Sequence, residues 1–164
     1  MGKIQISTIA FIFFSVNGYS QANESGIYMN ATDFRIHKLA YKINCKTEKH
    51  TINLYDYWHK PSITVNHNGK KHVHLKKELF GFQDCDNNVY RFFRDQEYKL
   101  EEADSITIYT IERASLPGQG FKKIKDFYFS RHIDSGIFPL DIKNLKTIYS
   151  ENKKFGALLE STFQ

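Results

Sequence analysis

Three small groups of residues in this chain have the types that chemistry uses. In "SITVNHNGKKHVHLKK", Asn68-Gly69 between two alternating runs is the strongest short signal for a β-hairpin. With the turn placed there, His67, His72 and His74 fall on one face, and three such imidazoles could hold zinc or copper. Ile63 and Val65 share that face, no carboxylate stands near to orient the rings, and Lys70 and Lys71 repel a cation, so an edge strand explains the same letters. In "LFGFQDCDNNVYRFF", Asp84-x-Asp86-x-Asn88 begins like a calcium loop. Such a loop needs glycine at its sixth position and glutamate at its twelfth. Those places hold Val89 and Asp95, so the cluster reads as turn chemistry. In "SRHIDSG", Ser130, His132 and Asp134 alternate along one expected strand, whereas the members of a relay converge from separate segments. G-x-S-x-G, H-E-x-x-H and glycine-rich phosphate motifs are missing, so no catalytic residue is assigned and no cofactor is expected.

The two cysteines say more. Residues 1–20 carry Lys3 beside the N-terminus and then the apolar run "IQISTIAFIFFSV", followed by small residues near Ser20 and Ala22. This is the layout of a secretory leader, and the run is shorter than the roughly 20 apolar residues a membrane-spanning helix needs. Export implies an oxidising compartment, where a lone pair of cysteines reads as one disulfide, Cys45–Cys85. Neither cysteine has a catalytic motif around it, and acidic neighbours make Cys85 a poor nucleophile.

Outside the leader the chain holds 22 basic and 18 acidic residues, a net charge of +4. The lysines occur as scattered pairs (70–71, 76–77, 122–123, 153–154) rather than one dense block, which excludes a nucleic-acid footprint. Residues 21–164 are expected to form one domain, with no transmembrane segment once the leader is removed. Asn30 or Thr32 can cap a short helical turn, after which Leu39, Tyr41, Ile43 and Cys45 alternate onto one face. A further strand over "HTINLYDYWHKPS" ends at Pro61, and the rings Tyr55, Tyr57 and Trp58 near that end are candidate interface anchors. In the central hairpin a turn at Asn87-Asn88 sets Asp84 opposite Arg91, Cys85 opposite Tyr90 and Phe82 opposite Phe93. Apolar residues then lie on both of its faces, so both are covered. "EYKLEEADSITIYTIER" gives two more strands, "ASLPGQG" (114–120) a loop, and "KKIKDFYFSRHI" another strand. The period turns helical over 140–163, with Asp141 as one N-cap and a second helix beginning at Ser150. The fold class is therefore α+β: an antiparallel meander or roll of seven or eight strands followed by two short helices.

"GIYMNATDF", "LFGFQDCDNNVYRFF" and "FYFSRHIDSGIFPLDIKNLKTIYSENKKF" together resemble a family of exported proteins common in Bacteroidota, over essentially the whole of residues 21–164. The shared residues are aromatic and turn-forming, so the resemblance implies a fold and an envelope address and carries no reactive residue with it. The expectation is a non-catalytic envelope or secreted module, periplasmic or extracellular, binding an unknown protein or glycan partner. The alternative is a hydrolase or metal-dependent enzyme with a site near the 114–120 loop, using His132 and Asp134.

Overall fold

Strands form where the period is two, and most of them pair with the next one along the chain. The computed structural model describes residues 24–48, 52–54, 61–114 and 123–162. Residues 1–20, the ring cluster Tyr55, Tyr57 and Trp58, and residues 115–120 of the expected loop lie outside them. Among the described residues eleven strands are present: β1 (Glu24–Tyr28), β2 (Ala40–Asn44), β3 (Ile52–Asn53), β4 (Ser62–His67), β5 (Lys70–Leu75), β6 (Gly81–Gln83), β7 (Val89–Phe93), β8 (Gln96–Ala103), β9 (Thr107–Ala114), β10 (Lys123–Ser130) and β11 (Phe138–Pro139). Helix α1 (Ala31–Arg35) separates β1 from β2, while α2 (Ile142–Ile148) and α3 (Lys153–Thr162) end the described chain.

Eight strands make one antiparallel sheet in the order β11-β10-β9-β8-β7-β6-β1-β2, and β3-β4-β5 make a second. The α+β class is as expected. The additional strands include the two-residue β11, too short for any alternation to mark it, while β3 falls within the strand expected over 50–62. The small sheet covers one face of the large one. Between them lie Ile27, Phe82 and Phe92 from the large sheet, Ile52, Ile63 and Val65 from the small one, and Leu79 from the connection. Burying such a side chain contributes about 1.5–3 kcal/mol.

The central hairpin differs from the expected register. Gly81 pairs with Arg91, Phe82 with Tyr90 and Gln83 with Val89. Asp84 causes the shift: its Oδ1 accepts the backbone N–H of Asp86 at 2.9 Å and of Asn88 at 2.8 Å. The turn therefore closes over Asp84–Asn88, with only Asn87 at positive φ (62°), where a two-residue type I′ turn needs two such residues. A shift of three positions regroups the rings, because side chains alternate. Phe82, Tyr90 and Phe92 face the small sheet, and Arg91 and Phe93 face the other way. Both faces of the hairpin are covered, as expected. Gly81 is required at its position, since a Cβ there would stand 1.9 Å from the Tyr90 carbonyl oxygen.

The far face has its own aromatic layer around Arg91, which is only 6% exposed. Its guanidinium lies 5.5–5.9 Å from the rings of Phe80, Phe93 and Tyr109. Arg91 Nη1 donates to Tyr109 Oη at 3.2 Å. Ser130 Oγ spends its proton on the His132 carbonyl at 2.7 Å, so in its 3.2 Å contact with Tyr109 the phenol is the donor. At the C-terminal end, Tyr149 of the helical segment packs between Phe129 (6.4 Å) and Phe155 (4.8 Å). Asp141 caps α2, as expected, accepting from Asn144 N at 2.7 Å. Helix α3 starts later than Ser150, because Asn152 Oδ1 is what accepts the Phe155 N–H.

Candidate functional site

On the face of the large sheet opposite the small one, a cavity of about 330 Å3 opens beside the disulfide. Its walls come from β1, the α1–β2 connection and the β6–β7 hairpin: Glu24, Tyr28, His37, Leu39, Gln83, Asn87 and Val89. Cys45 and Cys85 are bonded, with their Cα atoms 5.6 Å apart. Glu24 pairs across the sheet with Asn44, the residue before Cys45, while Gln83 and Asn87 flank Cys85 two positions away on either side. The expected cross-link thus ties the two walls together.

A short hydrogen-bond network lines the floor. The Tyr28 hydroxyl donates to Gln83 Oε1 at 2.8 Å, and Gln83 Nε2 donates to the Glu24 carbonyl at 3.0 Å and reaches Asn87 Oδ1 at 3.4 Å. Burial pushes the Tyr28 phenol above its ordinary value, so it keeps its proton near neutrality. The Glu24 carboxylate is held by Lys42 Nζ at 2.7 Å, which compensates its charge. Leu39 and Val89 supply an apolar flank.

His37 reaches this cavity by an unusual backbone route. Asn30 caps α1, accepting from Asp33 N at 2.9 Å. The helix closes with His37 N donating to the Phe34 carbonyl (3.1 Å) and Lys38 N to the Asp33 carbonyl (2.8 Å). That pair of bonds is the Schellman closure, whose left-handed residue is ordinarily glycine. Here it is His37, at φ 52°. The hydrophobic contact that often accompanies the motif between these two positions is replaced by a Lys38–Asp33 ion pair at 3.7 Å.

The sequence had placed Leu39, Tyr41, Ile43 and Cys45 on one face. Tyr41 also sits at positive φ (50°), and the β1–β2 register shifts between Ser25 and Ile27. The irregularity turns Leu39 towards the cavity and Tyr41 towards the small sheet. There Tyr41 meets the three histidines: its ring centroid lies 5.9 Å from His67, 4.6 Å from His72 and 5.4 Å from His74. The Asn68-Gly69 hairpin and the shared histidine face are as read from sequence. The imidazoles surround a phenol ring, and among the described residues no group of three or more metal-ligating side chains is arranged to hold a metal ion.

Residues 131–135 lie beyond the end of β10, so Ser130, His132 and Asp134 do not continue one strand. Ser130 is buried in the Arg91 network, His132 is exposed, and Asp134 pairs with Arg35. That guanidinium holds the Asp134 carboxyl below the usual range. The acid–amide cluster at 84–88 is a hydrogen-bonded turn, and its Asn87 serves the cavity. Tyr55, Tyr57 and Trp58 lie outside the described residues. Sequence reading missed Glu24, Tyr28, His37 and Gln83. No family model, curated protein or solved structure matches this chain.

Proposed function

We propose that this chain is a non-catalytic, exported binding module of the cell envelope or the exterior, and that the cavity beside the Cys45–Cys85 bond receives a neutral, hydroxyl-rich ligand such as a glycan unit. The observation that carries this reading is His37: an imidazole lines the cavity from a left-handed position that glycine would occupy with less strain. Strained positions of this kind cluster at ligand clamps and active sites.

The lining suits a sugar. Amides at Gln83 and Asn87 and the imidazole offer donors and acceptors to hydroxyl groups, while Leu39 and Val89 offer an apolar wall to C–H surfaces. With Glu24 matched by Lys42, no unpaired charge selects an ionic ligand. The volume lies at the small end of the range for ligand cavities of about 300–1,000 Å3, enough for one pyranose ring. The leader-like residues 1–20 and the disulfide support export. No helix among the described residues is long and apolar enough to cross a membrane.

The test is a backbone-amide NMR titration of the disulfide-bonded protein with neutral mono- and disaccharides. Shifts should cluster at residues 24, 28, 37, 39, 83, 87 and 89 and weaken in His37→Gly. Shifts elsewhere, or none with any saccharide, overturn the assignment.

A further inference from the structure

A guanidinium taken out of water ordinarily meets a carboxylate, because an uncompensated buried charge is costly. Arg91 of β7 keeps only 6% of its surface exposed, yet it forms no ion pair among the described residues. Three rings surround it, and its one side-chain hydrogen bond there runs from Nη1 to Tyr109 Oη. Nε and Nη2, the other edge of the guanidinium, donate to no protein atom. That edge is not sealed. Among the described residues, the side-chain atoms shut off from solvent without a partner are His67 Nδ1, His74 Nε2, Glu97 Oε1 and Tyr149 Oη. The free edge of Arg91 therefore meets solvent through the little surface the residue keeps. Arg94 brings a second charge to the same place, 5.2 Å from the centroid of the Phe93 ring that Arg91 approaches at 5.7 Å. It is exposed and forms no ion pair among the described residues, its neighbour Asp95 included. The turn presenting it holds Arg94 (φ 50°) and Asp95 (φ 63°) left-handed, where asparagine and glycine are the usual pair.

We propose that Arg91 anchors a second binding site, for a ligand carboxylate, which its free Nε–Nη2 edge grips side-on. The site does not rest on the reading of the cavity beside the disulfide. A planar guanidinium edge and a carboxylate match as two parallel charge-assisted hydrogen bonds. The rings of Phe80, Phe93 and Tyr109 already hold the group in place, so little ordering remains to be done on binding. They also lower the local polarity, which strengthens the grip. A sulfate dianion gives up more hydration on entering such surroundings, so a singly charged carboxylate is preferred. Arg94 acts as a steering charge over the same ring, drawing anions towards the anchor without being the grip itself. The bound carboxylate supplies the countercharge that the protein does not give Arg91.

The experiment is an NMR titration of the full disulfide-bonded chain with benzoate, benzyl alcohol and sulfate as separate probes at constant ionic strength. It reads the Arg91 Nε–H resonance together with the backbone amides. Benzoate alone should move the Arg91 Nε–H signal and the amides of residues 80, 91, 93 and 109. Arg91→Met leaves an apolar chain among the rings and removes the fork, so it should weaken benzoate by about tenfold or more. Arg94→Met should weaken it by only about two- to fivefold, as the loss of an exposed charge does. Should Arg91→Met fail to fold, the Nε–H signal of the parent still decides. An Nε–H signal that benzoate leaves unmoved, equal shifts from benzyl alcohol or sulfate, unchanged affinity in Arg91→Met, or a larger loss in Arg94→Met than in Arg91→Met would overturn the proposal.

Discussion

Replacing His37 by glycine should stabilise this protein and weaken ligand binding at the same time. At φ 52° a side-chain-bearing residue in the left-handed region costs about 1–2 kcal/mol relative to glycine. Glycine has the looser unfolded chain, which returns about 0.5–1 kcal/mol of that gain. Both closing bonds of the helix end are backbone bonds, at 3.1 and 2.8 Å, and survive the change. The ring itself is exposed and meets Phe34 only at a centroid distance of 6.4 Å, so little packing is lost. The net expectation is a gain of about 0.5–1 kcal/mol, or a rise in Tm of about 1–4 °C for a domain of this size. Calorimetry on the parent, His37→Gly and His37→Ala gives the comparison; His37→Ala keeps the left-handed strain and should gain nothing. Tyr41 is the contrast: it is equally left-handed, but its ring packs against three imidazoles and the core, so Tyr41→Gly should lose more than about 2 kcal/mol. If His37→Gly is destabilised, or is stabilised with saccharide binding unchanged, the reasoning that strain is retained here for a ligand is wrong.

The disulfide closes a 40-residue separation, so Cys45→Ser/Cys85→Ser should lower unfolding free energy in urea by about 4 kcal/mol and loosen the cavity. An unchanged urea midpoint would contradict the clamp. At Arg91, lysine should be worse than methionine: an ammonium is more strongly hydrated and cannot lie flat among three rings, so Arg91→Lys should cost about 2 kcal/mol or more, and Arg91→Met less. The reverse order in denaturant titrations refutes the cage. Acid should destabilise the fold. Hydrogen bonds from Arg113, Arg35, Thr110 and Lys123 hold the carboxyls of Asp126, Asp134, Glu101 and Glu112 below their ordinary values. A depressed carboxyl contributes stability above its unfolded value of about 4 and loses it as pH falls through the folded value, so urea midpoints should fall below about pH 4. Asp126→Asn/Asp134→Asn should flatten that fall, and 0.5 M salt should shrink it because these pairs are exposed.

What was legible in the sequence was whatever depends on period and on turn chemistry. Asn68-Gly69 marked its hairpin because few residues tolerate two consecutive positive φ angles, and Asp141 marked its helix because a side-chain oxygen satisfies an otherwise orphaned N–H. The Cys45–Cys85 bond followed from compartment and count. The register of the central hairpin was not legible, since "DCDNN" can close as a two-residue or a five-residue turn. Only the Asp84 carboxylate, reaching two backbone N–H groups at once, decides for the longer one.

That one decision also places the candidate site. With the five-residue turn, Gln83 pairs with Val89, both line the cavity wall, and Asn87 takes the left-handed corner above it. With the two-residue turn, Phe92 rather than Val89 would stand opposite Gln83 on this side. The second wall depends on two further departures from alternation, at His37 and Tyr41, without which Leu39 and Tyr41 would lie on one face. The cavity is therefore assembled from the places where the strand period fails, and a reading built on that period passes over it. An Asp84→Ala variant isolates the point: freed from its carboxylate, the turn should lose its register preference. The Gln83–Val89 backbone pairing should then exchange with solvent faster, while the Asn68-Gly69 hairpin, with its own turn intact, stays protected. Equal protection at both hairpins would mean that the register is set by the packed rings of Phe82, Tyr90 and Phe92, and not by the turn.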